Sequence, residues 1–247
     1  MATMNPAVTI GKPHAGRGGD DVRPPSGGGD DGRGGTDPQG YSRRLRRARL
    51  GIVVAITPIV MIFVSYTSAY IVRQGLPTFD EASGKYVRDW LSVALPTQLL
   101  MVNTILLVLS SLTIELARRQ LNRQAALAPV GNIPGVSLGN ERAWPWLNIT
   151  ALLGIGFLIG QFLAWRTLGD RGFFVATSPS SSFVYLLTAT HAVHLFGGVL
   201  ALGYAVIAPL LRKTLDSQRI LVDVTAWYWH FMAALWIYIF ALLEFAR

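Results

Sequence analysis

The stretch LGIVVAITPIVMIFVSYTSAYIV, Leu50–Val72, contains no Lys, Arg, Asp or Glu from end to end. At 1.5 Å rise per residue, about 20 apolar residues cross the hydrocarbon core of a bilayer, so this run reads as a transmembrane helix. Four further runs of the same kind follow, at Leu91–Ile114, Trp144–Trp165, Phe183–Leu211 and Val224–Leu243. Their interiors also lack charge, and each Lys, Arg or Asp placed at mid-span would cost roughly 2.5–3.5 kcal/mol on insertion. The runs exceed ordinary strand lengths about threefold, which excludes buried strands. The expected fold class is therefore all-α: an integral-membrane bundle of five transmembrane helices within residues 41–247, behind a disordered N-terminal tail.

The composition agrees with that reading. Apolar residues make up 51% and charged residues only 15%, with a mean hydropathy of +0.38, whereas soluble domains carry about 25% charge. The chain has no cysteine, which excludes disulfides, thiolate metal sites, iron–sulfur clusters and cysteine nucleophiles. The net charge of +8 comes from basic residues gathered at the ends of the apolar runs, and no helix-turn-helix or RNP signature accompanies them. No nucleic-acid partner is expected.

Residues 1–40 hold eleven glycines, five prolines and the pairs Asp20-Asp21 and Asp30-Asp31. Such a segment buries too little surface to offset its chain entropy and is expected to be disordered. It has no apolar core of the kind a secretory signal needs, so no cleavage is expected. Flanking charge sets the orientation. Arg43, Arg44, Arg46, Arg47, Arg49, Arg118, Arg119, Arg123, Arg142, Arg212, Lys213 and Arg219 fall on one side, and Arg73, Lys85, Arg88, Arg166, Arg171 and Arg247 on the other. Twelve against six places the N-terminus in the cytoplasm and, after five crossings, the C-terminus outside.

Within the runs, Gly156 and Gly160 form a small-xxx-small pair expected to admit a neighbouring helix, with Gly154 nearby, and Gly197, Gly198 and Gly203 are candidates for the same role. Pro58 and Pro96 are expected to bend their helices. His14 belongs to the tail, whereas His191, His194 and His230 lie in the apolar runs. His191 and His194 share a helix face that Thr188 extends by a turn. The residues alone leave three roles open for these histidines: haem ligands, metal ligands, or hydrogen-bonding members of the bundle. A metal site would require all three to converge, with carboxylates to orient the rings, and no carboxylate lies inside the runs. Trp227, Tyr228 and Trp229 are expected to form an interfacial belt, while Trp236 and Tyr238 are deep enough to need a partner helix. No phosphate loop, GxSxG elbow or HExxH pair is present, and no Asp or Glu marks a proton route.

Several of these residues together resemble a known family. Thr188-Ala189-Thr190-His191-Ala192-Val193-His194 followed by Gly197 resembles the T-G-F-H-G-L-H pattern of subunit III of haem–copper oxidases. Trp227-Tyr228-Trp229-His230-Phe231 followed by Trp236 is similar to that subunit's closing W-Y-W-H-F-x-D-x-x-W helix. Leu95-Pro96, Asn103-Thr104 and Ser110-Ser111-Leu112-Thr113 resemble its L-L-N-T and S-x-T helix, and Gln161 matches the glutamine of its Q-x-x-E-Y helix. The likeness runs over residues 50–246 and fits the short, five-helix form. Family acidic positions fall here on Gln98, Ala164 and Ala233, which puts a proton-uptake role in doubt.

The resemblance implies an accessory chain of a respiratory oxidase in a bacterial-type inner membrane, an enzyme only as part of its complex. It would carry no redox centre, with haem and copper in partner subunits. It would pack beside subunit I, with subunit II in the same assembly, and bind phospholipid. His191, His194 and His230 would then be polar fasteners of the bundle, and Arg118, Arg119 and Arg212 are candidate contacts for anionic head groups. A membrane haem-b protein using His230 with His191 or His194, or an accessory chain of a nitric oxide reductase, are the alternatives.

Overall fold

A computed structural model of the chain describes residues 38–80, 84–87, 90, 95–127 and 144–245. The tail up to residue 37, His14, Arg88, Leu91–Ala94, Arg142 and Arg247 lie outside the described residues. Five long helices carry the fold: α1 Pro38–Gly75, α2 Thr97–Leu127, α3 Trp144–Asp170, α4 Pro179–Ile207 and α5 Leu215–Phe245. All five are long and apolar enough to cross a membrane.

The helices outrun the apolar sequences that announced them. α1 has 38 residues, about 57 Å at the helical rise against a hydrocarbon core of about 30 Å. Its first three turns, carrying the arginine run, project beyond the apolar stretch, and Pro38-Gln39-Gly40, which the sequence reading left in the tail, are helical. Similarly, α2 continues past Ile114 through the arginines to Leu127, and α5 begins at Leu215 rather than Val224.

Helix ends follow local chemistry. Ser178 caps α4 by accepting from the Ser181 backbone N–H, the Ser181 side chain accepts in return from the Ser178 N–H, and Pro179 occupies the first turn. This cap starts α4 four residues ahead of the expected Phe183. At the other end, Pro209 cannot continue the helical ladder, so residues 208–211, expected to complete the fourth span, form turns instead. α3 closes with Phe173 N–H bonded to Leu168 O at 3.1 Å and Gly172 N–H to Gly169 O at 2.9 Å. Gly172, at φ +83°, supplies the left-handed residue this closure requires. Pro96 precedes α2, and its carbonyl accepts from Leu100 N–H; it starts a helix where a bend was expected. Pro58 does lie inside α1.

A two-stranded antiparallel ribbon after α1 was not anticipated. Thr78–Asp80 (β1) pairs with Lys85–Val87 (β2), with Phe79 opposite Tyr86, their rings edge to face at 5.4 Å.

Helices α2, α3, α4 and α5 pack in a closed cycle, each against the next and α5 back against α2, while α1 lies outside against α5 and α4. Trp229 and Trp236 of α5, Phe157 of α3, Leu107 of α2 and Leu187 and Leu195 of α4 are completely or almost completely buried at the centre. Of the glycines expected to admit a neighbouring helix, Gly160, Gly154 and Gly198 make close approaches and the others do not. A Cβ on Gly160 would stand 2.0 Å from Asn103 Oδ1, one on Gly154 2.7 Å from the Trp229 ring, and one on Gly198 3.0 Å from Tyr228. Gly156 meets only one atom, at 4.0 Å, and Gly197 and Gly203 face open space.

Candidate functional site

Nothing in the described residues resembles a hydrolytic or nucleophilic centre, so the candidate sites are the polar groups held inside the bundle and at one of its ends. Inside, a recurring unit joins the helices: an aromatic N–H or O–H donates to a hydroxyl on a neighbouring helix, and that hydroxyl donates to a carbonyl of its own helix. Trp229 Nε1 donates to Ser110 Oγ at 2.9 Å, and Ser110 donates to Leu107 O at 2.7 Å. Trp236 Nε1 reaches Thr104 Oγ1 at 3.0 Å, which donates to Leu100 O. Trp165 Nε1 reaches Thr188 Oγ1 at 3.0 Å, which donates to Val184 O. Tyr238 bonds Thr67 of α1 at 3.0 Å, Tyr228 bonds the His194 carbonyl at 2.9 Å, and Thr113 meets Thr150 across α2 and α3 at 2.7 Å. Each packed pair in the cycle therefore has its own polar clamp. In a medium without water, a hydroxyl already engaged with its own backbone still has a lone pair for the indole.

These bonds correct one expectation. Trp229 is fully buried and Tyr228 half-buried, so of the three residues assigned to an interfacial belt only Trp227 remains outward, 47% exposed. Trp229 lies on the core-facing side of α5, where its ring packs at Gly154 of α3 and its N–H reaches Ser110 of α2. Trp236 does face a partner helix.

The three histidines occupy different surroundings. His191 is fully buried between Phe157 and Trp236, with ring centroids at 5.9 and 5.1 Å, and neither of its ring nitrogens has a protein hydrogen-bond partner. His194 lies edge-on to Phe63 of α1, and its Nδ1 is 2.7 Å from the Thr190 carbonyl of its own helix. His230 Nε2 stands 3.9 Å from Glu115 Oε2, so a carboxylate does reach one of the rings, contrary to expectation. Among the described residues no group of three His, Cys, Asp or Glu side chains is placed to hold one metal ion. Gln161 is 2% exposed, with its Oε1 unbonded by protein. Ala164 and Ala233 are buried, whereas Gln98 is exposed at the start of α2.

At the end where α1 and α5 begin and α2 finishes, charges interlock. Arg49 of α1 grips Asp223 of α5 through both Nε, at 2.9 Å, and a terminal nitrogen, at 3.2 Å. Arg118 of α2 places Nε 2.9 Å from the same carboxylate and donates to Glu115, which also accepts from Arg119. The Asp223 side chain is only 8% exposed. Beside it, Arg49 lies over the Trp227 ring at 5.9 Å, and Arg219 over Tyr41 at 4.4 Å while donating to Asn122. Of the three arginines read as head-group contacts, Arg118 is thus committed inside the protein, Arg119 holds Glu115 with most of its side chain exposed, and Arg212 is exposed on the turn after α4. Asp223 and Glu115 were missed because each stands one residue outside an apolar run. Antiparallel counting brings both to the same end as Arg49 and would have found them.

The fold and its polar clamps define a five-helix integral-membrane bundle stabilised from within and bearing no catalytic constellation among the described residues. Comparison with known proteins identifies the lineage: the cytochrome c oxidase subunit III family model matches residues 42–246, and the chain belongs to that family. A probable cytochrome c oxidase subunit 3 of Mycobacterium tuberculosis is 32% identical over 102 residues, 41% of this chain and 50% of the relative. Cytochrome c oxidase subunit 3 of Corynebacterium diphtheriae is 29% identical over 147 residues, 60% of this chain and 65% of the relative. Quinol oxidase subunit 3 of Bacillus subtilis is 28% identical over 142 residues, 58% of this chain and 63% of the relative. The chain spans about half the length of the mycobacterial relatives it matches.

Proposed function

We propose that the protein is the accessory subunit III of a haem–copper terminal oxidase, a membrane chain that supports a catalytic subunit in which oxygen is reduced. The family match over all five helices carries this reading. On it, haem and copper reside in partner subunits I and II, and this chain contributes shape and stability rather than electrons. His191, His194 and His230 serve packing in this reading: one stacks between aromatic rings, one is tied to its own helix, and one lies beside a carboxylate. The excess of arginine at the Arg49–Asp223 end supports a cytoplasmic N-terminus and an outer C-terminus in a bacterial-type inner membrane. Anionic phospholipid is expected at this end, held by Arg119 and Arg212 rather than by Arg118.

The test is purification of the oxidase from solubilised membranes with and without this chain. The chain should co-purify with a haem- and copper-bearing subunit. Complexes lacking it should retain their haem spectrum per catalytic subunit while losing assembly yield or sustained turnover. A Soret band from the chain alone in detergent would overturn the reading.

A further inference from the structure

Where α2 begins, α3 ends and α5 ends, two spaces adjoin. The outer one, of about 410 Å³, is lined by Thr97, Gln98, Thr167 and Arg171 together with Leu95, Pro96 and Leu99, a mixed polar and apolar surface. The inner one shares Leu95 and Pro96 with it and runs between α2, α3, α4 and α5, past Leu100, Ala164, Thr188 and Trp236, to Gln161. Its volume of about 20 Å³ exceeds the roughly 10–15 Å³ that one water molecule requires on the same measure. The wall is almost entirely apolar, yet Gln161 lines it, and the Oε1 of that side chain is buried and has no protein donor. The other polar groups of the wall are already engaged, the Trp165 N–H with Thr188, the Thr188 hydroxyl with Val184 O and the Trp236 N–H with Thr104. Two more unpartnered groups belong to the same layer of the bundle. Asn103, whose Nδ2 is unbonded, touches Gly160 next to Gln161, and His191 packs on Trp236.

We propose that this crevice is a water site within the bundle, fed from the Gln98–Arg171 opening through the neck at Leu95 and Pro96 and terminating on Gln161 Oε1. Water fits the site because it donates to a lone amide oxygen, is small enough for the inner space, and is supplied by the partly polar outer opening. A purely apolar occupant would leave the carbonyl unpaired. Ala164 presents only a methyl group to this crevice.

The natural absence of cysteine makes the test direct. Single cysteines are introduced into the full chain in its native membrane and treated with a charged methanethiosulfonate reagent, which reacts only with ionised, hydrated thiols. Gln98→Cys, at the opening, should be modified readily. Leu168→Cys, on the crevice wall and smaller than the leucine it replaces, should react about tenfold faster than Leu195→Cys, the same change at an equally enclosed position off the crevice, because only a hydrated thiol ionises. Adding Gln161→Leu should slow Leu168→Cys while leaving Gln98→Cys unchanged, an effect that loss of packing alone would not produce. Equal rates at Leu168→Cys and Leu195→Cys, both slow or both fast, overturn the proposal. If Leu168→Cys fails to accumulate, Leu100→Cys on the same wall takes its place under the same criterion.

Discussion

An indole buried among helices is an apolar slab with one obligatory donor, and here each donor meets a hydroxyl whose own proton is spent one turn back along its helix. The pairing is directional, so it fixes rotation and register where packing alone would tolerate slippage. Trp229→Phe keeps most of the ring contact but removes the donor to Ser110, and should lower stability by about 1 kcal/mol, the net worth of one hydrogen bond. Ser110→Ala, which strands the buried indole N–H, should cost more, about 1–3 kcal/mol. Thermal unfolding of both variants in one detergent, followed by Trp fluorescence, checks the order. Glycine positions give a second contrast. Gly160→Ala drives a methyl into Asn103 and should destabilise by about 1–3 kcal/mol, as overpacking does, whereas Gly156→Ala, with its nearest neighbour at 4.0 Å, should be nearly neutral. Equal melting temperatures for the two would contradict the packing described.

Among the elements, the long helices differ in how much of them the sequence could reveal. Their apolar middles were legible because charge is excluded from a hydrocarbon core, and that exclusion leaves an unbroken run. Their ends were not, since a helix emerging from the bilayer is ordinary polar sequence: Arg43–Arg49, Glu115–Leu127 and Leu215–Asp223 look like loops by hydropathy. The interlocked charges of Asp223, Arg49 and Arg118 were hidden for that reason. The Trp229 assignment failed for another reason: Trp227, Tyr228 and Trp229 point to different sides of α5, and an unbroken aromatic cluster does not say which side faces the bundle. The α4 cap at Ser178 and the stop at Pro209 obey local chemistry but yield to hydropathy when only apolar runs are counted. Asp223→Asn tests the charged end. It removes the carboxylate of Arg49 and one of the two that Arg118 holds, and should cost about 3 kcal/mol, toward the lower end for breaking a buried pair because Arg118 keeps Glu115 and Arg49 keeps access to water. A double-mutant cycle with Arg49→Gln should show coupling of about 1–3 kcal/mol; additive effects would mean that the two groups do not hold α1 to α5.

For the molecule as a whole, the cycle of α2 to α5 is self-sufficient in polar clamps, and α1 is an attachment to it. A fragment beginning at residue 76 should therefore insert and retain the emission of buried Trp229 and Trp236, with protease protection of α2 to α5 close to that of the full chain. General proteolysis of the fragment would show that α1 is integral to the core. α1 is fastened chiefly by Arg49 to Asp223 and by Thr67 to Tyr238, residues separated by 174 and 171 positions along the chain. Helix α1 is thus made long before α5 and has to wait in the lipid until that partner has been synthesised, and during the interval Arg49, not yet matched by Asp223, is shielded by head groups or by an insertase.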